Sequence, residues 1–358
     1  MKKTSFLRLD QIPGVARQRG LTLVELLVAM AVGLLVVLAA LAALLVARTG
    51  FSNVDAASQL RDNGRFVALL VDRLAVQSGF RNVQQAAGKQ EKPHEDVPPA
   101  ITGFSNARPR LDDLSLSTAL KPGDAGYGSD VLIMRFQAAA LDRSPRPPRP
   151  PSGPSSSSPD GSDKQPSDRT MIDCFGYAPD VTAKETEPYV SVLSVGKDAT
   201  GEPALMCSRS DTGLAPYSSS SLVRGVELFK VLYGVDSGVS PRTVPDAAAK
   251  LDTVPKRYLT AQEMVVSGDE EATRENWRRV RSLRIGMVLR SDVTPGAREA
   301  LTLHPFGAAR AGENQPEGSA FVSAENINSE FKAPADGRIR QVVTFTVHLR
   351  NDQRGGLK

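Results

Sequence analysis

Few side chains in this sequence are placed to do chemistry. His94, His304 and His348 stand far apart, and none has a second ligand at the spacing a metal site needs. His94 sits in the polar, proline-containing stretch KPHED, which reads as solvated loop. The chain has no G-x-S-x-G, no P-loop and no glycine-rich dinucleotide fingerprint. Its two cysteines, Cys174 and Cys207, are too few for a thiolate metal site. No catalytic residue, metal, cofactor or small-molecule substrate is therefore expected. What remains is one carboxylate in an unusual place: Glu25, at the head of an otherwise apolar run. A charge in hydrocarbon costs about 3 kcal/mol even on lenient insertion scales. Such an acid is kept where function holds it or a partner neutralises it; the alternative is that it snorkels to the interface and does nothing more.

The element that positions Glu25 is the run from Leu26 to Ala47, 22 residues without a charge. At about 1.5 Å per residue a helix of that length covers roughly 33 Å, which spans a bilayer. A buried core helix seldom reaches half this length without a polar residue. A cleaved secretory signal would have an apolar region of only about 7 to 15 residues. Lys2, Lys3, Arg8, Arg17 and Arg19 precede the run against Asp10 alone, and only Arg48 follows it closely. The short N-terminal arm is therefore expected in the cytoplasm and the large C-terminal part outside it. That arm also holds the chain's whole net charge of +4, since removing it leaves 39 of the 44 basic and 39 of the 40 acidic residues. A nucleic-acid partner thereby loses its main support. In an oxidising compartment an isolated cysteine pair reads as a disulfide, so Cys174 and Cys207 are expected to be joined.

The order of these features, a basic arm, then RG/LTLVELLVAM, then the long apolar helix, closely resembles the class III signal of type IV pilins and their relatives. The resemblance implies that a prepilin peptidase cuts between Gly20 and Leu21, that Leu21 becomes the N-methylated first residue, and that Glu25 becomes the fifth. The family more often has Phe at the first mature position. It also implies a role for the acid: in the filament core, Glu25 would face the N-terminal amine of a neighbouring subunit. A buried unpaired carboxylate is costly and a paired one much less so, which makes such a pair a register device for assembly.

Beyond Gly50, Leu60, Val67, Leu70, Val71 and Leu74 recur at helical spacing, with Arg61, Asp62, Arg65, Asp72 and Arg73 between them. This predicts an amphipathic helix over 49–80, with one stripe fit to lie on a sheet and Gly79 as its stop. Gly50 and Gly64 weigh against one unbroken helix. Strands are expected at Val131 to Phe136, Val226 to Tyr233, Arg281 to Arg290 and Val342 to Arg350. In the last, Val343, Phe345, Val347 and Leu349 alternate with Thr344, Thr346, His348 and Arg350, giving one buried and one wet face. The expected class is α+β: a long N-terminal helix packed on an antiparallel β-sheet. The Pro- and Ser-rich stretch at about 143–170 reads as a disordered insertion.

The stretches DNGRFVALLVDRLAVQSGF, MIDCFGY, ALMCSRS, SLVRGVELFKVLYGVD, ENWRRVRSLRIGMVLRS and VVTFTVHLRN, in that order, are similar to PilW-type minor pilins. The resemblance implies a leader peptide at 1–20, a transmembrane and filament-core helix at 21–48, an outer helix at 49–80 and a periplasmic β-rich domain at 81–358. The protein would be a single-pass inner-membrane protein that later joins the pilus at the cell surface. Its partners would be the prepilin peptidase, other minor pilins and the major pilin, and it would help prime pilus assembly near the tip, supporting adhesion or twitching motility. Two further readings stay open: a minor pseudopilin of a type II secretion system, and an adhesin subunit that binds a surface directly.

Overall fold

A computed structural model describes residues 20–81, 97–141, 165–184, 186–249, 253–292, 299–307 and 330–351. Residues 1–19 lie outside the described residues, and with them all but Gly20 of the leader expected at 1–20. In chain order the elements are α1 (Leu23–Gln77), β1 (Ile101–Phe104), β2 (Ala107–Pro109), β3 (Ser117–Ala119), β4 (Val131–Phe136), β5 (Tyr189–Lys197), β6 (Pro203–Arg209), β7 (Ser218–Arg224), β8 (Val226–Val235), β9 (Arg257–Leu259), α2 (Ala261–Met264), α3 (Glu270–Arg278), β10 (Val280–Arg290), β11 (Leu301–Leu303), β12 (Phe331–Ala333) and β13 (Arg340–His348). The chain divides into two compact units, residues 1–52 and 53–358.

In the first unit, the residues up to Ser52 are helical from Leu23 onward and expose nearly every large apolar side chain, Leu26, Leu34, Leu38 and Leu45 among them. This is a helix long and apolar enough to cross a membrane.

The second unit is built on the remainder of α1. Leu60, Gly64, Val67, Val71 and Leu74 are buried, so the stripe read from the sequence is the packed face. The helix runs unbroken over 55 residues, although Gly50 and Gly64 argue for an interruption. For Gly64 the reason is contact: a Cβ there would lie 2.7 Å from Val343 Cγ2, so the missing side chain lets the helix approach β13. After Gln77 the chain leaves the helix through Gly79, whose φ of 75° is the left-handed conformation that glycine allows.

Where the pattern predicts one sheet, four antiparallel sheets form among the described residues: the two-stranded ribbons β2-β3 and β11-β12, and two main sheets. The larger has the order β1-β4-β5-β6-β7 and the smaller β13-β10-β8-β9. In the smaller, Ile285 stands opposite both Phe345 and Val231, and Met287 opposite both Val343 and Phe229. These residues share one core with Leu60, Val67, Val71 and Leu74 of the helix and with Leu132, Leu193 and Leu205 of the larger sheet. On the other face of β13, Thr344, Thr346 and His348 are exposed, as their alternation predicts. The chain passes from one sheet to the next through the single residue Gly225, with φ 79° and only 2.4 Å between its would-be Cβ and the carbonyl of Arg290. No side chain fits there.

Cys174 and Cys207 form a disulfide with Cα atoms 5.9 Å apart. Beside it, the Gln77 side chain donates to the carbonyl of Ile172 and accepts from its N–H at 3.1 Å, and Arg73 donates to the carbonyl of Thr170 at 2.7 Å. The disulfide thus ties the segment that grips the end of α1 to β6. Residues 142–164 of the proline-rich insertion lie outside the described residues. Residues 165–170, which composition assigns to a disordered loop, are paired instead: Pro166 bridges to Val181 and Ser167 to Ala140. Backbone bonds from Leu141 to Pro166 and from Thr182 to Gln165 hold that end, which composition does not register.

Candidate assembly site

Glu25 lies in the first turn of α1. Its backbone N–H donates to Thr22 Oγ1 at 3.2 Å, and the N–H of Leu26 donates to the carbonyl of Thr22 at 3.1 Å. Thr22 is therefore the N-cap and Glu25 the third residue of the helix. Four N–H groups at a helix start have no partner within the helix, and the threonine hydroxyl satisfies one of them. A carboxylate in this turn also interacts favourably with the helix dipole. The T-x-x-E spacing of a capping box was present in LTLVE, and it assigns Thr22 a part that reading Glu25 alone misses. Thr22, Glu25, Ala29 and Val32 share one open face of the helix. Gly20 and Leu21 precede the cap, outside the helix. The sequence-predicted residues Gly20, Leu21 and Glu25 are thus brought together at one helix start, while Cys174 and Cys207 are joined within the second unit.

That unit holds a second polar construction. Arg290, at the end of β10, donates to Glu202 at 2.5 Å and to Glu227 at 2.9 Å. Arg338 donates to Glu202 at 2.9 Å, and Arg340, at the start of β13, donates to Glu227 at 2.6 Å and Asp336 at 2.7 Å. The Arg340 side chain is only 4% exposed. Three guanidinium groups and three carboxylates thereby join the entry to β6 with β8, β10 and β13. Hydrogen bonds from Arg338 and then Arg290 hold Glu202 down to about 2. Arg340 does the same for Asp336, also to about 2, and is itself raised above its ordinary value by Asp336 and Glu227. Asp336, Arg338 and Arg340 are close in sequence, but no local motif marks the cluster, because Glu202, Glu227 and Arg290 reach it from other parts of the chain.

His304 and His348 stand without a partner set, and no group of three or more His, Cys, Asp or Glu that could hold a metal occurs among the described residues. His94 lies outside them.

The chain matches the family model of the prokaryotic N-terminal methylation motif over residues 15–41, which includes Gly20, Leu21, Thr22 and Glu25. It is similar to a type IV-like pilin from Thermus thermophilus at 13% identity and a TM-score of 0.35, over 83% of this chain and 98% of that one. No curated protein matches it. Residues 192–351, from within β5 past β13, match the model of type IV pilus-assembly protein W.

Proposed function

We propose that the protein is a minor pilin that helps prime type IV pilus assembly, in a complex with other minor pilins near the tip, on which the major pilin then builds. A prepilin peptidase cleaves between Gly20 and Leu21, and Leu21 is N-methylated. The apolar helix anchors the protein once in the inner membrane, with its N-terminus in the cytoplasm and the 53–358 unit in the periplasm. From there the subunit enters the pilus. Its work lies in packing surfaces and it catalyses no reaction.

The observation that carries this reading is the helix start: a carboxylate one turn inside an uncovered apolar helix, directly after Gly20, with its backbone locked by Thr22. A fixed backbone limits where the carboxylate can reach, which suits recognition of one amine on a neighbouring subunit. In hydrocarbon, a carboxylate left without that amine costs several kcal/mol, so a misplaced subunit is rejected more strongly than a correct one is rewarded. Glu25→Val should leave membrane insertion and cleavage intact while abolishing the subunit's recovery in sheared pili. Recovery at the wild-type level would refute the role of Glu25. The family match is to pilus assembly, and no feature of the described residues favours the secretion or adhesin readings over it.

A further inference from the structure

Arg135 on β4 lies on the face of the larger sheet that also carries Val131 and Ile133. Its Nη1 donates to the Pro99 carbonyl at 3.0 Å and to Thr102 Oγ1 at 2.8 Å. No carboxylate among the described residues pairs with it, although the arginines of the Glu202 and Glu227 cluster each have at least one. Burial lowers its pKa to about 10, the direction expected when a cation loses water and gains no anion. This guanidinium borders a cleft of about 490 Å³ whose walls are mainly apolar: Phe104, Leu114, Ala261, Val265 and Trp277. Val265 is 47% exposed at the rim, whereas Trp277 is buried deeper.

These features complement one another. An apolar cleft with one desolvated, unpaired cation is suited to an apolar side chain that arrives with a carboxylate beside it. Arginine and tryptophan in a central pocket are also the residue types that dominate binding energy at protein interfaces. We propose that this cleft is a docking site for a partner protein, which inserts an apolar side chain against Trp277 and Val265 and pairs an adjacent Asp or Glu with Arg135. The site is on the sheet side of the second unit, and the inference does not depend on Glu25 or on pilus priming.

The experiment is photocrosslinking in cells with the full chain. The crosslinking amino acid p-benzoylphenylalanine replaces Val265, and the crosslinked residue on the partner is mapped by mass spectrometry. The expected product joins position 265 to another protein at an apolar segment with an Asp or Glu within two residues. Arg135→Gln should lower its yield by about tenfold or more, as loss of one member of a buried charge pair does, and Arg135→Lys should retain part of it. Each change gives up the hydrogen bonds to Pro99 and Thr102, so yields are compared at a temperature well below the thermal midpoint of each purified variant; a loss of yield seen only where the variant is unfolded would assign Arg135 a structural part instead. Reversing the mapped partner acid to Arg should restore crosslinking to Arg135→Glu. The proposal is overturned if the crosslink lands on the chain's own residues 82–96, whose acids are Glu91, Glu95 and Asp96. It is equally overturned if the partner segment lacks an acid, if Arg135→Gln leaves the yield unchanged, or if no crosslink forms.

Discussion

Gly64→Ala sets helix propensity against packing at one buried position. In a helix interior alanine is favoured over glycine by about 1 kcal/mol. Propensity alone therefore predicts stabilisation. The added methyl carbon, however, would lie 2.7 Å from Val343 Cγ2 and 3.3 Å from Cγ1. Val343 is β-branched, so it cannot swing its methyl groups aside without leaving its preferred rotamer. Overpacking of this kind costs about 1 to 3 kcal/mol, which cancels or outweighs the propensity gain and leaves a net loss of about 0 to 2 kcal/mol. Val343→Ala removes both clashing atoms and leaves only the Cβ, at 3.5 Å, an ordinary contact. In that background Gly64→Ala should stabilise by about 1 kcal/mol, so the sign changes and the coupling between the two sites is about 1 to 3 kcal/mol. Urea unfolding of the full chain in detergent reads this directly through Trp277, the only tryptophan, which packs edge-on to Tyr233 with ring centroids 4.8 Å apart. Equal stabilisation by Gly64→Ala in both backgrounds would refute the close approach of α1 to β13. At Gly50 the same substitution meets open space and should not destabilise.

The arginine cluster makes stability depend on pH at the acid end. Because Glu202 and Asp336 are held at about 2 in the folded protein, below the usual carboxylate range, their contribution is complete above about pH 5 and is lost as pH falls toward 2. A thermal midpoint series from pH 7 to 2 should fall across that window, and Glu202→Gln with Asp336→Asn should flatten the fall; an unchanged slope would contradict the assignment. Replacing Cys174 and Cys207 with serine should cost about 3 to 4 kcal/mol on the chain-entropy model, read as a lower urea midpoint. If the urea midpoint did not move, the bridge would not be holding the 170–177 segment to β6.

Much of the first unit was legible in the sequence because its determinants are local. The uncharged run from Leu26 to Ala47 defines a membrane-length helix by composition, and the T-x-x-E spacing that precedes it, which reading Glu25 alone misses, is equally local. The alternation along β13 was readable for the same reason: a strand between core and solvent writes its period of two into the residue types. Strand β7, by contrast, begins with four serines and carries no such signal, so its place at the edge of the larger sheet was not foreseen. β5 is buried on both faces along most of its length, and its period is correspondingly blurred.

The sequence by itself determined the apolar helix, its acid, the basic arm before it, the pair of cysteines and the α+β class. Only the tertiary structure decided that the longer strands divide into two main sheets with a common core, that Gly64 is a contact point rather than a break, and that Glu202, Glu227 and Asp336 meet three arginines. The same holds for Arg135, which reads as one more charge in a strand until the fold places it, without a counter-ion among the described residues, at a cleft that Trp277 also lines. Helix periodicity, capping and strand alternation depend on residues a few positions apart. Close approach of Gly64 to Val343, and the pairing of Arg290 with Glu202 and Glu227 or of Arg340 with Glu227, join residues many tens to hundreds of positions apart, and no local pattern encodes where the chain will bring them together.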